Sequence, residues 1–428
     1  MRMTETPIWF QYPKFQWNEK HATIIGGGIA GAQIAWHLCQ TGWQVTLIER
    51  HNQLALEASG NPAGVISPKM TAKKSLGEDF YTQSFLYTLS QLDKLKQLGH
   101  KITMDNCGVL QLAHNPREEQ RWQALGKRNF PANLIQLLDE DETIKTAGIN
   151  LNTKQPYKSY YFPKGGWIQP ASFVKALIDH PHCNVITQTE ALKLVKSSND
   201  WQVYNQKDQL ICKSEIAIIA NGKDLFSFEQ TSFLPGMPVA GQTTSSIASN
   251  ASKKLKAVIG HEGYLTPALP LPSSSDRENH IFGATFERDN SNPQLNTSSD
   301  HQNVDSLQHY LPEFANNLGH ISSAHTAVRM TTPDRFPYVG GLPNKAYYQQ
   351  SYHDLHQGKQ WKKYPTAKYQ NGLFVLGGLG SRGIITSGYC AKALCDLLEN
   401  KLDSEQTRQV LKNCHPARYI IKKLRTQD

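Results

Sequence analysis

A glycine-rich turn near the amino terminus constrains the fold more than any other feature of the sequence. An apolar run at 21–25 leads into Gly26-x-Gly28-x-x-Gly31, where a helix-spaced apolar pattern begins. A second apolar run at 43–48 ends at Glu49, which lies 18 residues beyond Gly31. This order of strand, turn, helix and strand predicts a parallel βαβ unit that binds a dinucleotide.

The spacing of this motif has a physical basis. The first glycine permits a tight turn, the second lets the backbone approach a pyrophosphate, and the third allows the helix to pack closely on the strand. The helix presents its N–H groups and positive dipole end to the phosphates, and an acid at position 49 accepts hydrogen bonds from a ribose. The motif alone does not separate FAD from NAD. The residues that we expect to contact the cofactor here are Gly26, Gly28, Ile29, Ala30, Gly31, Glu49 and Arg50.

Composition limits the class of protein. The 428 residues are 39% hydrophobic with a mean hydropathy of -0.51, and no apolar run approaches the roughly 18 residues of a membrane helix. The first twenty residues are aromatic and polar and resemble no signal peptide, so we expect a cytoplasmic protein. Seven scattered cysteines without a Cys-x-x-Cys pair argue against a disulfide framework and against a zinc site.

The charge balance favours anionic partners. The formal net charge is +9 and the sequence pI is about 9.0, so the field of the protein attracts polyanions. Lysines alternate with tyrosines and a tryptophan over 346–369, and a second basic group lies at 418–425. The first segment is typical of a nucleic-acid surface that pairs phosphates and stacks bases, or of a loop packed on its own aromatic residues.

Further patterns outline the rest of the chain. Helices are predicted at 80–98 and 173–178, within 300–317, and at 386–398, with strands near 185, 211 and 216–220 and a Rossmann-like apolar run at 373–380. From about residue 233, short strands alternate with polar loops, which favours an antiparallel sheet. The predicted fold class is therefore α/β, or α+β overall, with a Rossmann-like nucleotide domain and an antiparallel-sheet domain.

A second glycine-rich segment, Gly377-Gly378-Leu379-Gly380-Ser381-Arg382-Gly383, lies near the carboxyl terminus. Two such segments at opposite ends of a chain resemble the D-amino-acid oxidase and glycine oxidase family of flavoproteins. The resemblance implies a discontinuous FAD-binding domain (21–82, 160–230 and 328–428), a substrate-binding domain (83–159 and 231–327) and an amino-terminal extension (1–20).

Seven strings in order strengthen this resemblance, at 58–64, 108–112, 163–167, 239–242, 263–267, 328–335 and 379–383. They are similar to one branch of the family, the oxidoreductase half of bifunctional proteins that modify the wobble uridine of tRNA. The resemblance implies that FAD-dependent oxidation removes the carboxymethyl group of 5-carboxymethylaminomethyl-2-thiouridine, giving 5-aminomethyl-2-thiouridine and glyoxylate. Only about twenty residues precede the first strand, so we expect no methyltransferase domain in this chain and a separate methyltransferase as a possible partner.

The chemistry selects candidate catalytic residues. A substrate carboxylate favours arginine, and Arg329 occupies the carboxylate-binding position by resemblance to glycine oxidase. Tyr264 is a candidate second donor to the carboxylate, or a tyrosine that packs in a strand. Arg382 is a candidate cation beside the flavin, or a residue that caps a helix or meets a tRNA phosphate.

The resemblance extends the predicted cofactor site beyond the first turn. No cysteine lies near Arg329 or in the second glycine-rich segment, so we expect FAD to be bound non-covalently. The additional residues that we expect to contact FAD are Ser59, Gly60, Asn61, Gly64, Asn221, Gly222, Gly378, Gly380, Ser381, Arg382 and Gly383.

Two alternative functions remain compatible with the sequence. One is an oxidase or dehydrogenase of glycine, sarcosine or D-amino acids that has no affinity for tRNA. The other is a tRNA-binding protein that keeps FAD as a structural element. Only the first and the favoured function predict that the flavin is reduced by its substrate.

Overall fold

The structure is a computed structural model that describes residues 6–271, 274–359 and 361–426. Residues 1–5 of the predicted amino-terminal extension lie outside the described residues. The helices are α1 (Ile29–Cys39), α2 (Leu76–Gln97), α3 (Pro116–Gly126), α4 (Glu140–Ala147), α5 (Pro170–Ile178), α6 (Thr297–Tyr310), α7 (Pro312–Ala315), α8 (Lys345–Ser351), α9 (Gly383–Leu398), α10 (Glu405–Asn413) and α11 (Arg418–Thr426).

The strands are short and numerous. They are β1 (His21–Ile25), β2 (Gln44–Ile48), β3 (Gly64–Ile66), β4 (Met104–Asp105), β5 (Val109–Leu112), β6 (Gln136–Leu138), β7 (Ser159–Phe162), β8 (Gly166–Ile168), β9 (Cys183–Ile186), β10 (Lys193–Lys196), β11 (Trp201–Tyr204), β12 (Leu210–Ser214), β13 (Ile216–Ile219), β14 (Met237–Ile247), β15 (Val258–Gly260), β16 (Tyr264–Leu265), β17 (Leu269–Leu271), β18 (Ser274–Gly283), β19 (Glu287–Arg288), β20 (Ile321–Thr331), β21 (Tyr338–Pro343) and β22 (Tyr369–Gly377).

The chain divides into two compact units. Unit 1 comprises Met1–Leu56, Leu177–Met237 and Arg329–Asp428, and unit 2 comprises Glu57–Ala176 and Pro238–Val328. The first predicted FAD-binding segment extends to residue 82, whereas the first segment of unit 1 ends at Leu56. The assignment of one domain to FAD and the other to substrate stays a prediction.

Unit 1 contains a six-stranded sheet in the order β21-β22-β13-β1-β2-β9. Its strands run parallel except for the antiparallel pair β21 and β22. The central strands β1 and β13 are buried on both faces and read as largely apolar runs, as strands of parallel sheets do. Helices α1 and α9 pack against each other beside this sheet, and β10, β11 and β12 form a separate antiparallel sheet.

Unit 2 contains a larger sheet in the order β19-β14-β18-β16-β15-β5-β7-β6, with β17 paired to β18 and β20 paired to β14. The registered pairs are antiparallel except for β15 and β5, which run parallel. A small antiparallel sheet, β3-β8-β4, completes the unit. The predicted fold class, a Rossmann-like sheet together with an antiparallel sheet, is therefore confirmed.

Local chemistry explains where two helices depart from the predicted bounds. Helix α2 begins before residue 80, because the Ser75 side chain accepts a hydrogen bond from the Glu78 N–H and caps the helix. The helix predicted within 300–317 is two helices, because Pro312 lacks an N–H and restricts Leu311 to a non-helical conformation.

Three further observations concern the described residues. None of their helices is both long and apolar enough to cross a membrane. They contain no group of three or more His, Cys, Asp or Glu side chains placed to hold a metal ion. All seven cysteines are free thiols.

Candidate functional site

The turn between β1 and α1 has room for glycine alone at two positions. Gly26 adopts a φ of +112°, and a Cβ on it would lie 2.5 Å from the carbonyl oxygen of Ala220. A Cβ on Gly31 would lie 1.9 Å from the carbonyl oxygen of Gly26. Helix α1 begins at Ile29 with Gly28 as its N-cap, so no N-cap side chain covers its amino terminus. The turn thus presents the start of α1 to a ligand, as a pyrophosphate requires.

Glu49 braces this turn directly after β2. The side chain is buried, with one carboxylate oxygen accepting the Gly27 N–H at 2.8 Å and the other accepting the His51 N–H at 2.9 Å. A carboxylate has about four lone-pair positions, so these two bonds leave acceptor capacity for ribose hydroxyls. Glu49 therefore fits the role predicted from its spacing and also stabilises the turn itself.

Arg50 and the segment after β13 form a second group at the same edge of the sheet. The Arg50 guanidinium pairs with Asp224 at 2.7 Å and with Glu190 at 3.4 Å. The Asn221 amide donates to the Asp224 carbonyl at 2.9 Å, while its own side-chain oxygen is buried without a hydrogen-bond partner in the described part of the chain. A buried acceptor without a donor is costly, so Asn221 fits contact with a bound polar group.

The second glycine-rich segment follows β22 at this edge. Gly378 and Gly380 adopt φ values of +69° and +58°, a short 3-10 turn spans Gly380–Arg382, and α9 begins at Gly383. A Cβ on Gly383 would lie 3.8 Å from Cγ2 of Ile29, so the amino termini of α9 and α1 approach each other. Both helices therefore direct the positive ends of their dipoles to this same edge of the sheet.

These four segments share a topological position. Each follows the carboxyl end of one of the neighbouring parallel strands β22, β13, β1 and β2, and such ends meet at one edge of a sheet. The glycine cradle, the buried acceptor of Asn221 and the two helix amino termini fit a dinucleotide. The predicted cofactor-contacting residues that lie in these segments of unit 1 are Gly26, Gly28, Ile29, Ala30, Gly31, Glu49, Arg50, Asn221, Gly222, Gly378, Gly380, Ser381, Arg382 and Gly383.

Arg329 lies in unit 1, near the end of β20. Its neighbours Val328 and Met330 are buried, while Arg329 is partly exposed on the opposite side of the strand. Two residues further on, Thr331 forms a β-bridge with Leu379 of the second glycine-rich segment. The strand thus holds Arg329 on a rigid element beside the nucleotide edge. Arg382, the other candidate arginine, is partly exposed and forms the N-cap of α9.

Tyr264 lies in unit 2, where its hydroxyl fastens a loop of the same unit. The hydroxyl donates to the Ala63 carbonyl at 2.9 Å and accepts from the Asn61 amide at 3.0 Å. The Thr243 hydroxyl donates to the Asn61 side-chain oxygen at 3.2 Å. Since a phenol has one proton to donate, these hydrogen bonds favour a role for Tyr264 in positioning the loop, and its role as a donor to a carboxylate stays a prediction.

The loop held by Tyr264 carries the remaining candidates of unit 2. Ser59 and Gly60 lie in a 3-10 turn, Ser59 is buried, and Gly64 begins β3. Sequence reasoning identified this loop but missed Ala63 and Thr243 as its anchors. No local signal marks them, because their partners lie 201 and 182 residues away along the chain.

Comparison with known proteins gives three similarities. The profile of the DAO family, described as FAD dependent oxidoreductase, matches residues 21–397. The tRNA 5-methylaminomethyl-2-thiouridine biosynthesis bifunctional protein MnmC of Pseudomonas syringae pv. tomato is 33% identical over 97% of this chain, and that of Chromobacterium violaceum is 32% identical over 97%. The chain spans 61% and 62% of the lengths of these two relatives.

Among solved structures, glycine oxidase from Geobacillus kaustophilus has a similar fold. It superposes with a TM-score of 0.70 over 89% of this chain and 94% of its own, at 18% sequence identity. At that identity, the likeness concerns the fold.

Proposed function

We propose a function from one premise, that this chain belongs to the DAO family of FAD-dependent oxidoreductases. Membership confirms the predicted cofactor, FAD, and the predicted class of enzyme. The proposed reaction is the oxidative removal of the carboxymethyl group from 5-carboxymethylaminomethyl-2-thiouridine at the wobble position of tRNA. Its products are 5-aminomethyl-2-thiouridine and glyoxylate.

One observation carries this proposal. The similarity to the tRNA 5-methylaminomethyl-2-thiouridine biosynthesis proteins extends over 97% of the chain at 33% identity, so it includes both units and all the candidate residues. The matched part is 61% of the relative, and the FAD-family profile covers most of that same part. The oxidation step is therefore the part of the relative's activity that we assign to this chain.

The substrate is chemically an N-substituted glycine. When bound, FAD supplies the two-electron oxidation of the carbon between the nitrogen and the carboxylate. Water then hydrolyses the resulting carbon–nitrogen double bond, and the nucleoside amine and glyoxylate separate. The protein has to hold the carboxylate, so that the reacting carbon keeps one position and one angle.

We assign the carboxylate to Arg329. A guanidinium stays charged and makes two parallel hydrogen bonds to a carboxylate, which fixes orientation as well as position. The support is its place on β20, between two buried residues and two positions before the bridge to the second glycine-rich segment. Arg382, in the N-cap of α9, would supply a cation to bound FAD, where it would stabilise developing negative charge.

Tyr264 receives a different role from the one the sequence suggested. Its hydroxyl proton is used by the Ala63 carbonyl, so we assign it to positioning the loop of Asn61. The same loop contains Ser59, Gly60 and Gly64, which we still assign to FAD contact.

Anaerobic mixing with tRNA that carries the carboxymethylaminomethyl group tests the function. We expect bleaching of the flavin and release of glyoxylate, with the aminomethyl nucleoside found on digestion of the tRNA. Bleaching by glycine, sarcosine or D-amino acids but not by the tRNA would establish a small-molecule oxidase instead. Binding of the tRNA with the flavin left oxidised would make FAD a structural element.

A further inference from the structure

The net positive charge of the chain is confined to two segments. Residues 341–370 and 411–426 contain ten of the 45 lysines and arginines but one of the 36 acidic residues, Asp354. The remaining 35 basic and 35 acidic residues cancel, so these two segments carry the whole formal charge of +9. A charge this concentrated acts as a local field rather than as an average property of the protein.

The structure brings the two segments together in unit 1. Helix α11 packs against α8 and against a short 3-10 turn at Leu355–Gln357. Between them lies a buried cluster around Tyr348, Tyr352 and Ile421, joined by other aromatic residues including Trp9 and Tyr364. Most aromatic residues of 346–369 therefore pack in a core of their own. Of the two alternatives from the sequence, a loop packed on its own aromatic residues describes this segment better than a nucleic-acid surface that stacks bases.

Cations surround this aromatic core. The Arg425 guanidinium lies 4.9 Å from the ring centre of Trp9, and the Lys368 ammonium lies 4.8 Å from that of Tyr347. We call the exposed cations of the two segments the basic face. Its members are Lys345, Lys363, Lys368, Lys422, Lys423 and Arg425.

Other cations of these segments are already neutralised. Lys362 and Lys359 pair with the buried Asp354 at 2.7 Å and 3.4 Å, and the Lys362 ammonium holds the pKa of that carboxyl below its usual range. Arg418 makes two hydrogen bonds to Asp334 and is itself largely buried. By contrast, in the described part of the chain no carboxylate lies within ion-pair distance of the six residues of the basic face.

One aromatic residue does not join the core. Trp361 is 79% exposed, and it is the most exposed large hydrophobic side chain among the described residues. It lies between Lys359, whose ammonium is 5.9 Å from its ring centre, and the exposed Lys363. An exposed indole flanked by cations suits stacking on an unpaired base next to neutralised phosphates.

We propose that the basic face binds the phosphate backbone of the tRNA and that Trp361 stacks on one of its unpaired bases. The proposal rests on the proposed function, which supplies an RNA substrate. An anionic membrane is a poorer partner, because a surface helix that enters lipid presents an apolar side to it. The apolar side of α11 is instead covered, with Ile421 buried and Leu424 packed on the aromatic core.

The test compares a variant that lacks three charges of the basic face with a control variant that lacks three charges elsewhere on the protein. The face variant is Lys363→Gln, Lys422→Gln and Lys423→Gln combined. The control is Lys101→Gln, Lys154→Gln and Lys207→Gln, three exposed loop lysines outside the two segments. Lys362 is left intact, because its replacement would leave the buried Asp354 with a weaker partner. Trp361→Ala is measured separately.

Binding of the modified tRNA to the holoenzyme is measured across a range of salt concentrations. Each phosphate contact contributes about 0.7–0.9 to the slope of log affinity against log salt, so the face variant should lose about 2 to 3 from that slope. At about 0.1 M salt, this corresponds to roughly 100-fold weaker binding. The control should keep the wild-type slope, and Trp361→Ala should weaken binding at least about fivefold at every salt concentration.

Flavin reduction separates this proposal from the proposed function. At saturating tRNA the face variant should reach the wild-type rate, because the reacting group is held elsewhere. If wild type is reduced by the tRNA but the face variant binds as tightly as wild type, the basic face is not the RNA surface and the proposed function stands. If wild type is not reduced by the tRNA, the proposed function fails. Should the face variant bind tRNA as tightly as wild type but lose the binding of wild type to anionic vesicles, the face belongs to a membrane.

Discussion

Gly31→Ala tests the nucleotide turn most directly. The added methyl group would lie 1.9 Å from the Gly26 carbonyl oxygen and 3.3 Å from Cγ2 of Ile24. Because packed heavy atoms approach to about 3.5–4.0 Å, the turn would have to move by more than about 1 Å. Such a shift also disrupts the hydrogen bond of 2.8 Å between the Gly27 N–H and Glu49.

The size of the effect follows from these contacts. Overpacking costs about 1–3 kcal/mol, and a hydrogen bond to a charged group contributes about 1.5–3 kcal/mol. Alanine favours a helix over glycine by about 0.8–1.0 kcal/mol, which offsets part of the loss. We expect the free energy of unfolding to fall by about 2–5 kcal/mol, and the purified variant to hold less than about a tenth of the wild-type FAD.

Gly77→Ala is the matched control, because Gly77 also lies in the first turn of a helix. Its Cβ would meet nothing nearer than the Ser75 hydroxyl at 3.9 Å, so this change should leave stability unchanged or raise it by up to about 1 kcal/mol. FAD content is measured from absorbance after acid release, and stability is compared between flavin-free forms. A Gly31→Ala protein with wild-type stability and one FAD per chain would refute the reasoning.

Three further predictions concern the other candidate residues. Arg329→Ala should slow the reduction of the flavin by modified tRNA about 100-fold, while the tRNA affinity stays within about threefold of wild type. Arg329→Lys should be partly active, because lysine keeps the charge but lacks the planar guanidinium. Tyr264→Phe should lower the free energy of unfolding by about 1–3 kcal/mol, because the Ala63 carbonyl loses its donor at 2.9 Å. Burial lowers the pKa of His280 to about 4 from an ordinary value near 6.5, so the unfolded chain binds more protons between these values. Stability should therefore fall as the pH drops from about 6.5 to about 4, by up to about 1.4 kcal/mol per pH unit, and His280→Gln should flatten this dependence.

The predictions for Arg329 and Tyr264 have control variants, and the prediction for His280 has a contradicting outcome. For Arg329 the control is Arg117→Ala, because Arg117 is an exposed arginine of α3 and its replacement should change neither the rate of flavin reduction nor the tRNA affinity. If the flavin of Arg329→Ala is reduced at the wild-type rate, Arg329 does not bind the carboxylate. For Tyr264 the control is Tyr204→Phe. The Tyr204 hydroxyl donates to the side chain of Gln202 at 2.7 Å, and its removal should change the free energy of unfolding by less than about 0.5 kcal/mol. For His280, urea unfolding curves that keep their pH dependence in His280→Gln would assign the acid sensitivity to other groups.

The sequence by itself determined the nucleotide turn. Gly31 meets the carbonyl oxygen of Gly26 five positions away, and Glu49 accepts the N–H of Gly27 22 positions away, both within a single βαβ unit. A fixed spacing therefore translates into a fixed geometry, because helix and strand have regular rises per residue. The same reasoning located the ends of β2 and β13 and the start of α1 to within a few residues.

Contacts between distant segments were decided by the tertiary structure alone. Gly383 reaches Ile29 across 354 positions, and the Tyr264 hydroxyl reaches Ala63 across 201. We propose a positioning role for Tyr264 for this reason, because no local pattern shows that its hydroxyl donates to the Ala63 carbonyl.

The aromatic residues of 346–369 illustrate the same limit. Their spacing was compatible with base stacking or with packing, and only the folded chain shows that Tyr348 and Tyr352 are buried while Trp361 is exposed. Burial depends on what covers a side chain, and here the cover comes from Trp9 and α11, at opposite ends of the sequence. The sequence gives the number of charges in these segments, but only the folded chain shows that the two segments pack against each other.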